Sequence, residues 1–185
     1  MRRAIVVWFT GMSGAGKSTL AEMAARRLES ESFKTLVLDG DHIRNEIHKH
    51  LSFSREDILE NNRLVAQLCA QRLSDFDVIL TPIISPYALG RQRAREIIGN
   101  TFFEIYVKTS LKELIKRDTK GLYRKALEGE MNNLIGFSPE NPYEEPEHPD
   151  LTIHTDQEDV QRGARRLIEH TRLWLERSGK LSSHS

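Results

Sequence analysis

The segment Gly11-Met12-Ser13-Gly14-Ala15-Gly16-Lys17-Ser18 satisfies G-x-x-x-x-G-K-[ST], and its flanks supply the strand and helix that this spacing needs to work. Upstream, Ile5-Val6-Val7-Trp8-Phe9 is an apolar, β-branched and aromatic run that reads as a buried parallel strand. Downstream, Leu20, Met23, Ala24 and Leu28 recur at helical spacing. Glycines let such a loop wrap closely enough for backbone N–H groups to face phosphate oxygens, and the helix N-terminus adds its positive end. Lys17 would reach the β- and γ-phosphates, and the Ser18 hydroxyl would ligate Mg²⁺. The reading is a nucleoside-triphosphate site formed by Gly11, Met12, Ser13, Gly14, Ala15, Gly16, Lys17, Ser18 and Thr19.

Apolar and amphipathic runs alternate along the rest of the chain, the pattern of βαβ units around a parallel sheet. Strands are predicted at 4–10, 34–38, 77–83, 102–108 and 151–154, and helices at 17–30, 41–48, 55–74, 87–98, 110–117 and 157–177. The expected fold is a three-layer α/β P-loop domain with a five-stranded parallel sheet, a single unit over 1–177. Glycines and prolines crowd 119–150, and the basic start Lys120-Gly121-Leu122-Tyr123-Arg124-Lys125 favours a lid closing on phosphates. Residues 178–185 read as a flexible polar tail. The 27 basic and 27 acidic residues cancel, so charge points to neither nucleic acid nor membrane. With one cysteine, Cys69, on an apolar helix face, and no leader-like or membrane-length apolar run, a reducing cytoplasm is expected.

Further chemistry gathers where strands end. Asp39 and Asp41 flank a glycine after the second strand, at the edge where open parallel sheets bind ligands. One carboxylate can position Mg²⁺ or its waters and the other can accept a proton from an acceptor hydroxyl; the alternative is a cap on a helix starting near Ile43. Ser85 falls at the end of the third strand, either at the ligand or as an N-cap, with Pro86 starting the next helix. Arg44, Arg63, Lys120, Arg124 and Lys125 are the cations available against phosphoryl charge, whereas Arg91, Arg93 and Arg95 read mostly as a wet helix face. The seven histidines form no metal-binding spacing, and His42 reads as a helix-start residue. Leu173 and Trp174 are expected to dock the last helix, and Phe53 is either a hydrophobic staple before the Ser54 cap or a stacking platform for a base.

Together these stretches resemble the adenylylsulfate kinase (APS kinase) family. The resemblance rests on the glycine-rich loop, Leu38-Asp39-Gly40-Asp41 with Arg44, Phe53-Ser54, Glu60-Asn61 with Arg63, Ile84-Ser85-Pro86-Tyr87, Arg117-Asp118, Lys120-Gly121-Leu122-Tyr123 and Pro142-Tyr143-Glu144 to Pro149. It implies transfer of the ATP γ-phosphoryl group to the 3′-hydroxyl of adenosine 5′-phosphosulfate, with Mg²⁺ as cofactor and ATP as co-substrate. It further implies Asp41 as base with Asp39 in support, and Lys17 with Ser18 on ATP and Mg²⁺. Arg117 would lie near the ATP adenine, while Arg44, Phe53, Asn61, Arg63, Ile84, Ser85, Lys120, Gly121 and Leu122 would surround the acceptor. Ser85 matches a serine often described as a phosphoserine intermediate, although an in-line donor held by a P-loop needs no covalent stop. A homodimer and a sulfurylase partner are likewise implied.

Three positions depart from the family pattern, one of them His42, which stands where Asn is common. Asp57-Ile58 stands where Asp-Arg is usual, and Leu134 replaces a phenylalanine that stacks on the acceptor adenine, a contact worth about 1–3 kcal/mol in analogous sites. Phe137 is the nearby ring that can take its place. The departures leave a second acceptor, another nucleotide-like molecule, as the alternative. A non-catalytic ATP-binding module is a third reading, which intact Lys17, Ser18, Asp39 and Asp41 oppose.

Overall fold

Strict alternation within the first strand sets the layers of the molecule. In the computed structural model, which describes residues 4–40, 43 and 51–180, β1 (Ile5–Thr10) is buried along its whole length. Ile5, Val7 and Phe9 face one hydrophobic cluster, and Val6 and Trp8 face another. A strand buried on both faces must be the middle of a sandwich. On the first face lie α1 (Lys17–Ser30), through Ala21, Ala24 and Leu28, and the last helix α6 (Val160–Lys180), through Leu167, Trp174 and Leu175. On the second lie α2 (Arg55–Arg72), through Val65, Ala66 and Cys69, and α3 (Ala88–Ile98), through Ala94 and Ile98.

The sheet is five-stranded in the order β2-β3-β1-β4-β5, with β2 (Thr35–Val37), β3 (Val78–Thr81), β4 (Phe102–Lys108) and β5 (Leu151–His154). All four pairings are parallel. Ile5 pairs with Val78 on one side of β1, and Val6 pairs with Phe102 on the other. The chain therefore reverses its direction of progress at β1, the switch point beyond whose carboxyl end open sheets place a ligand. Two short helices, α4 (Leu111–Arg117) and α5 (Leu122–Leu127), follow β4.

The expected strands are present with ends trimmed by a residue or two; Pro82, which has no N–H to give a ladder, follows β3 directly. The Ser54 cap holds: its Oγ accepts the Asp57 N–H at 3.2 Å, while the Asp57 carboxylate turns to the Ser52 N–H at 3.0 Å. Cys69 is buried as expected, and burial pushes its thiol up to about 12. Of the helix expected over 41–48, only Ile43 is described; it is helical and buried.

Four expectations are overturned. The third helix starts at Ala88 after Tyr87, two residues past Pro86. The segment 119–150 contains α5, and α6 continues to Lys180, three residues into the expected tail, with Ser178 buried. Leu173 does not dock the last helix: it is 48% exposed, whereas Trp174 stacks on Phe103 with ring centroids 4.5 Å apart. Leu167, Thr171, Trp174, Leu175 and Ser178 make a buried stripe at 3.6-residue spacing, and position 173 lies outside it.

Trp174→Ala is therefore expected to cost about 3–5 kcal/mol in urea unfolding, and Leu173→Ala less than about 0.5 kcal/mol. Equal effects would mean that α6 is docked by some other face.

Candidate active site

A cleft of about 340 Å³ opens beyond the carboxyl ends of β1, β2 and β3. Its floor is the loop between β1 and α1. Gly11 has φ +152°, and a Cβ there would lie 2.5 Å from the Val107 carbonyl oxygen, so only glycine lets the loop leave the sheet so close to β4. Gly16, in the left-handed region, precedes α1, whose first residue is Lys17. Lys17 Nζ donates to the carbonyls of Gly11 and Met12, both at 2.8 Å. From α1, Ser18 Oγ donates to Asp39 Oδ2 at 2.7 Å, joining a loop hydroxyl to a carboxylate two residues past β2.

These two hard oxygens suit Mg²⁺, which takes one or two protein oxygens and completes its shell with phosphate and water. Among the described residues no group of three or more His, Cys, Asp or Glu side chains converges as a metal cage. Gly40 lets Asp39 approach the far wall, since a Cβ there would lie 2.8 Å from Ile83 Cγ2.

That wall is Pro82-Ile83-Ile84-Ser85-Pro86. Ser85 is buried at φ +44°, a strained conformation for a residue with a side chain. Its Oγ accepts the Trp8 indole N–H at 3.0 Å and the Asn62 amide N–H at 2.9 Å. Both lone pairs are thereby occupied. It is not an N-cap, since Tyr87 holds that position. The Ser85 carbonyl accepts from Thr10 Oγ1 and from Arg91 Nη1, each at 2.9 Å.

Arg91 corrects the reading of a wet helix face. It is 4% exposed, its Nε lies 2.8 Å from Glu104 Oε1, and its Nη2 donates to the Glu144 carbonyl at 2.8 Å. Burial pushes the Glu104 carboxyl up, while Arg91 and Arg95 oppose the shift. Arg93 and Arg95 do remain on the exposed side of α3.

Of the residues read from the sequence, the cleft is lined by Ser13, Gly14, Gly16, Lys17, Ser18, Thr19, Asp39, Phe53, Asn61, Ile84, Ser85 and Lys120. Asp41, His42 and Arg44 lie outside the described residues. Gly11, Met12, Ala15, Arg63, Gly121 and Leu122 do not line it. Arg63 is held by Glu60 through two hydrogen bonds of 2.7 and 2.6 Å. Arg124 and Lys125 point to solvent. Phe53 is 46% exposed at the cleft, which favours the platform reading over the staple.

Arg117 also stands outside the lining, one residue removed from the nucleotide loop. It donates to Thr155 Oγ1 at 3.1 Å and to the Thr155 carbonyl at 2.5 Å, and Thr155 Oγ1 donates to the Ala15 carbonyl at 2.9 Å.

Sequence reasoning did not single out Asn62, Thr119 or Ile135. Asn62 had a signal: with Ile58, Val65, Ala66 and Cys69 it falls on the buried face of α2, where an amide needs a partner. Ile135 had none, because its register depends on the fold of 131–141. Ile58, Tyr87 and Ile135 form a small apolar cluster against the cleft. Leu134 is buried in the main core, and Phe137 sits edge-on to Tyr123 at 6.2 Å, so it does not replace a stacking ring in the cleft.

Comparison with known proteins agrees with this geometry. The family model described as Adenylylsulphate kinase matches residues 3–154. An adenylyl-sulfate kinase of Halothermothrix orenii is 44% identical over 173 residues, covering 91% of this chain and 90% of that protein. A probable adenylyl-sulfate kinase of Bacillus subtilis is 40% identical over 165 residues, covering 89% and 83%. Among solved structures, the Mycobacterium tuberculosis APS kinase CysC in complex with AMPPNP and APS superposes with a TM-score of 0.84 at 36% identity, covering 91% of this chain and 98% of that one.

The Thr155 bridge gives a test of the nucleotide side. Thr155→Val keeps the shape and removes the hydroxyl held between Arg117 and Ala15. Of the hydrogen bonds lost with it, that to the loop, at the Ala15 carbonyl, is the one whose loss is expected to weaken ATP binding roughly two- to tenfold in calorimetric titration. Unchanged affinity would show that the loop is held without it.

Proposed function

The chain belongs to the adenylylsulphate kinase family, and from that premise we propose how its residues divide one phosphoryl transfer between donor and acceptor. The reaction is ATP-dependent phosphorylation of the 3′-hydroxyl of adenosine 5′-phosphosulfate, giving 3′-phosphoadenosine 5′-phosphosulfate. The observation that carries the division is the Ser18–Asp39 pair, which faces the Ile84–Ser85 wall across one cleft.

On the donor side, backbone N–H groups from Ser13 to Lys17 cradle the phosphates, and Lys17 exchanges its carbonyl partners for phosphate oxygens. Ser18 and Asp39 would hold Mg²⁺, which would supply positive charge against the transferring phosphoryl group. Arg117, through Thr155, steadies the loop beside the nucleotide. On the acceptor side, Phe53 offers a stacking face, Asn61 and Ile84 flank the nucleotide, and Lys120 supplies positive charge. Asp41 accepts the proton of the attacking hydroxyl, and Arg44 binds the anionic end of the acceptor. Arg63, Gly121 and Leu122 contribute by shaping the segments that carry Asn61 and Lys120.

Ser85 is a positioning residue in this reading. An oxygen that already accepts from Trp8 and Asn62 has no lone pair left to attack phosphorus, so transfer is direct. The unit is a single kinase domain acting in the cytoplasm, self-associating as a dimer and receiving its acceptor from a sulfurylase reaction. No helix among the described residues is long and apolar enough to cross a membrane.

A coupled ADP-release assay with Mg-ATP is expected to show turnover with adenosine 5′-phosphosulfate above that with other nucleotides. Turnover only with another nucleotide would assign Ile58 and Leu134 to a changed acceptor. Ser85→Ala is expected to keep kcat within about tenfold of the parent and to leave no phosphoserine for mass spectrometry. It should still lose stability, because each buried N–H left unpaired costs about 1–3 kcal/mol. A phosphoserine formed as fast as turnover would overturn direct transfer.

A further inference from the structure

One hydrogen bond between the lid and the nucleotide loop has no part in the division above. Tyr123, the second residue of α5, is 2% exposed, and its hydroxyl donates to the Ser13 carbonyl at 2.8 Å. Burial pushes its phenol up and Asp118 adds to the shift, so the hydroxyl remains a donor across the working pH range.

The segment that delivers this hydroxyl is stiff. Asp118 accepts the N–H groups of Tyr123 and Arg124, each at 3.0 Å, through its carboxylate, and its own carbonyl accepts the Gly121 N–H at 2.9 Å. Thr119 and Lys120, inside that knot, line the cleft. A second limb of the lid reaches the same loop: Gly136, at φ +78°, lies so close to Met12 that a Cβ would be 2.7 Å from Met12 Cε. Phe137, next in sequence, packs its ring against Tyr123.

What the bond does follows from peptide geometry. The Ser13 carbonyl and the Gly14 N–H belong to one planar trans unit, so fixing the oxygen on one side aims the hydrogen to the other. Ser13 and Gly14 both line the cleft. The neighbouring Met12 carbonyl is held by Lys17, a side chain drawn toward phosphate when nucleotide enters. With Lys17 drawn away, the Tyr123 bond still fixes the orientation of the Ser13–Gly14 peptide.

We propose that Tyr123 is the positioning residue that couples the two substrates. Its hydroxyl sets the Gly14 N–H toward the donor phosphates, and its backbone, three residues beyond Lys120, carries that geometry to the acceptor side. The proposal rests on the kinase reading above. Since coupling is reciprocal, each substrate raises the other's affinity by the same factor, and that factor depends on the phenol oxygen.

The test is Tyr123→Phe, which keeps the packed ring and removes only the hydroxyl. Calorimetry would give the affinity for a non-hydrolysable ATP analogue with and without adenosine 5′-phosphosulfate, in the parent protein, in Tyr123→Phe and in Leu127→Ala. Leu127 is on the same helix but 60% exposed. The parent and Leu127→Ala are expected to share a coupling factor of at least about fivefold, and Tyr123→Phe to bring it near one with its melting temperature little changed. In steady state KM should rise for both substrates while kcat at saturation falls less. A coupling factor in Tyr123→Phe equal to the parent's overturns the proposal, as does a loss matched by Leu127→Ala. Failure of the parent protein to bind the phosphosulfate at all overturns the kinase reading instead.

Discussion

The site depends on a single buried hydroxyl at the end of the central strand. Thr10 Oγ1 lies 2.9 Å from the carbonyls of both Ile84 and Ser85, and the Tyr143 hydroxyl lies 2.8 Å from it. Its one proton is shared by the two carbonyls, which leaves Tyr143 as the donor to its lone pair. The next backbone group, the Gly11 N–H, also donates to Ile84, at 3.2 Å. Three segments from distant parts of the chain thus meet on one side chain: the glycine-rich loop, the cleft wall at Ile84 and Ser85, and the strap at 143–144. Phosphoryl transfer asks for two substrates held in line to within fractions of an ångström, and a shared anchor gives that register without a long chain of intermediaries.

The strap is itself braced by charge. Arg91 ties the Ser85 and Glu144 carbonyls to the Glu104 carboxylate, the Glu144 N–H donates to the Pro86 carbonyl at 2.9 Å, and the Glu144 carboxylate receives the Ala88 N–H at 2.7 Å. A buried ion pair is a poor source of net stability, because desolvating two charges consumes most of what their attraction returns. Its worth here is geometric. Arg91 presents a rigid planar fork to acceptors on two loops, and that helps to keep Ser85 in a backbone conformation it would otherwise leave.

How much of this was legible in the sequence follows from the range of the interactions. The strand–loop–helix at 5–30 and the alternation of strands were readable because side-chain period and glycine placement are local properties. Arg91 was misread because its partner is Glu104, on the following strand, and three arginines at alternate positions look like a solvated face until that partner is placed. Helix α5 was hidden by the glycines around it. Its capping carboxylate, Asp118, sits four residues before Leu122 instead of at the residue preceding the helix, outside the spacing by which caps are recognised. Leu173 was misplaced by a phase error of one position on α6, which its neighbours Trp174 and Leu175 correct.

The apolar cluster against the cleft shows why two unusual residues are better read as one change. At position 58 the side chain is 2% exposed and packed with Tyr87 and Ile135, and Arg55 already lies over the Tyr87 ring at 4.3 Å while pairing with Glu144 at 3.5 Å. A guanidinium at 58 would have to displace Ile135 or be buried without a partner, so an aliphatic residue at 135 and one at 58 are mutually consistent. Leu134, one residue earlier, is committed to the main core and cannot turn a ring toward the cleft. Among the described residues that line the cleft, Phe53 is the aromatic one. On the proposed reading, a base in the cleft would meet one ring and a wall of isoleucines: Ile58, Ile83, Ile84 and Ile135. Such a wall selects by shape and exclusion of water more than by stacking, which every base can satisfy with its π face. On the same reading, discrimination among acceptors would fall to the polar groups that line the cleft, Lys120 and Asn61, and less to the slot for the base.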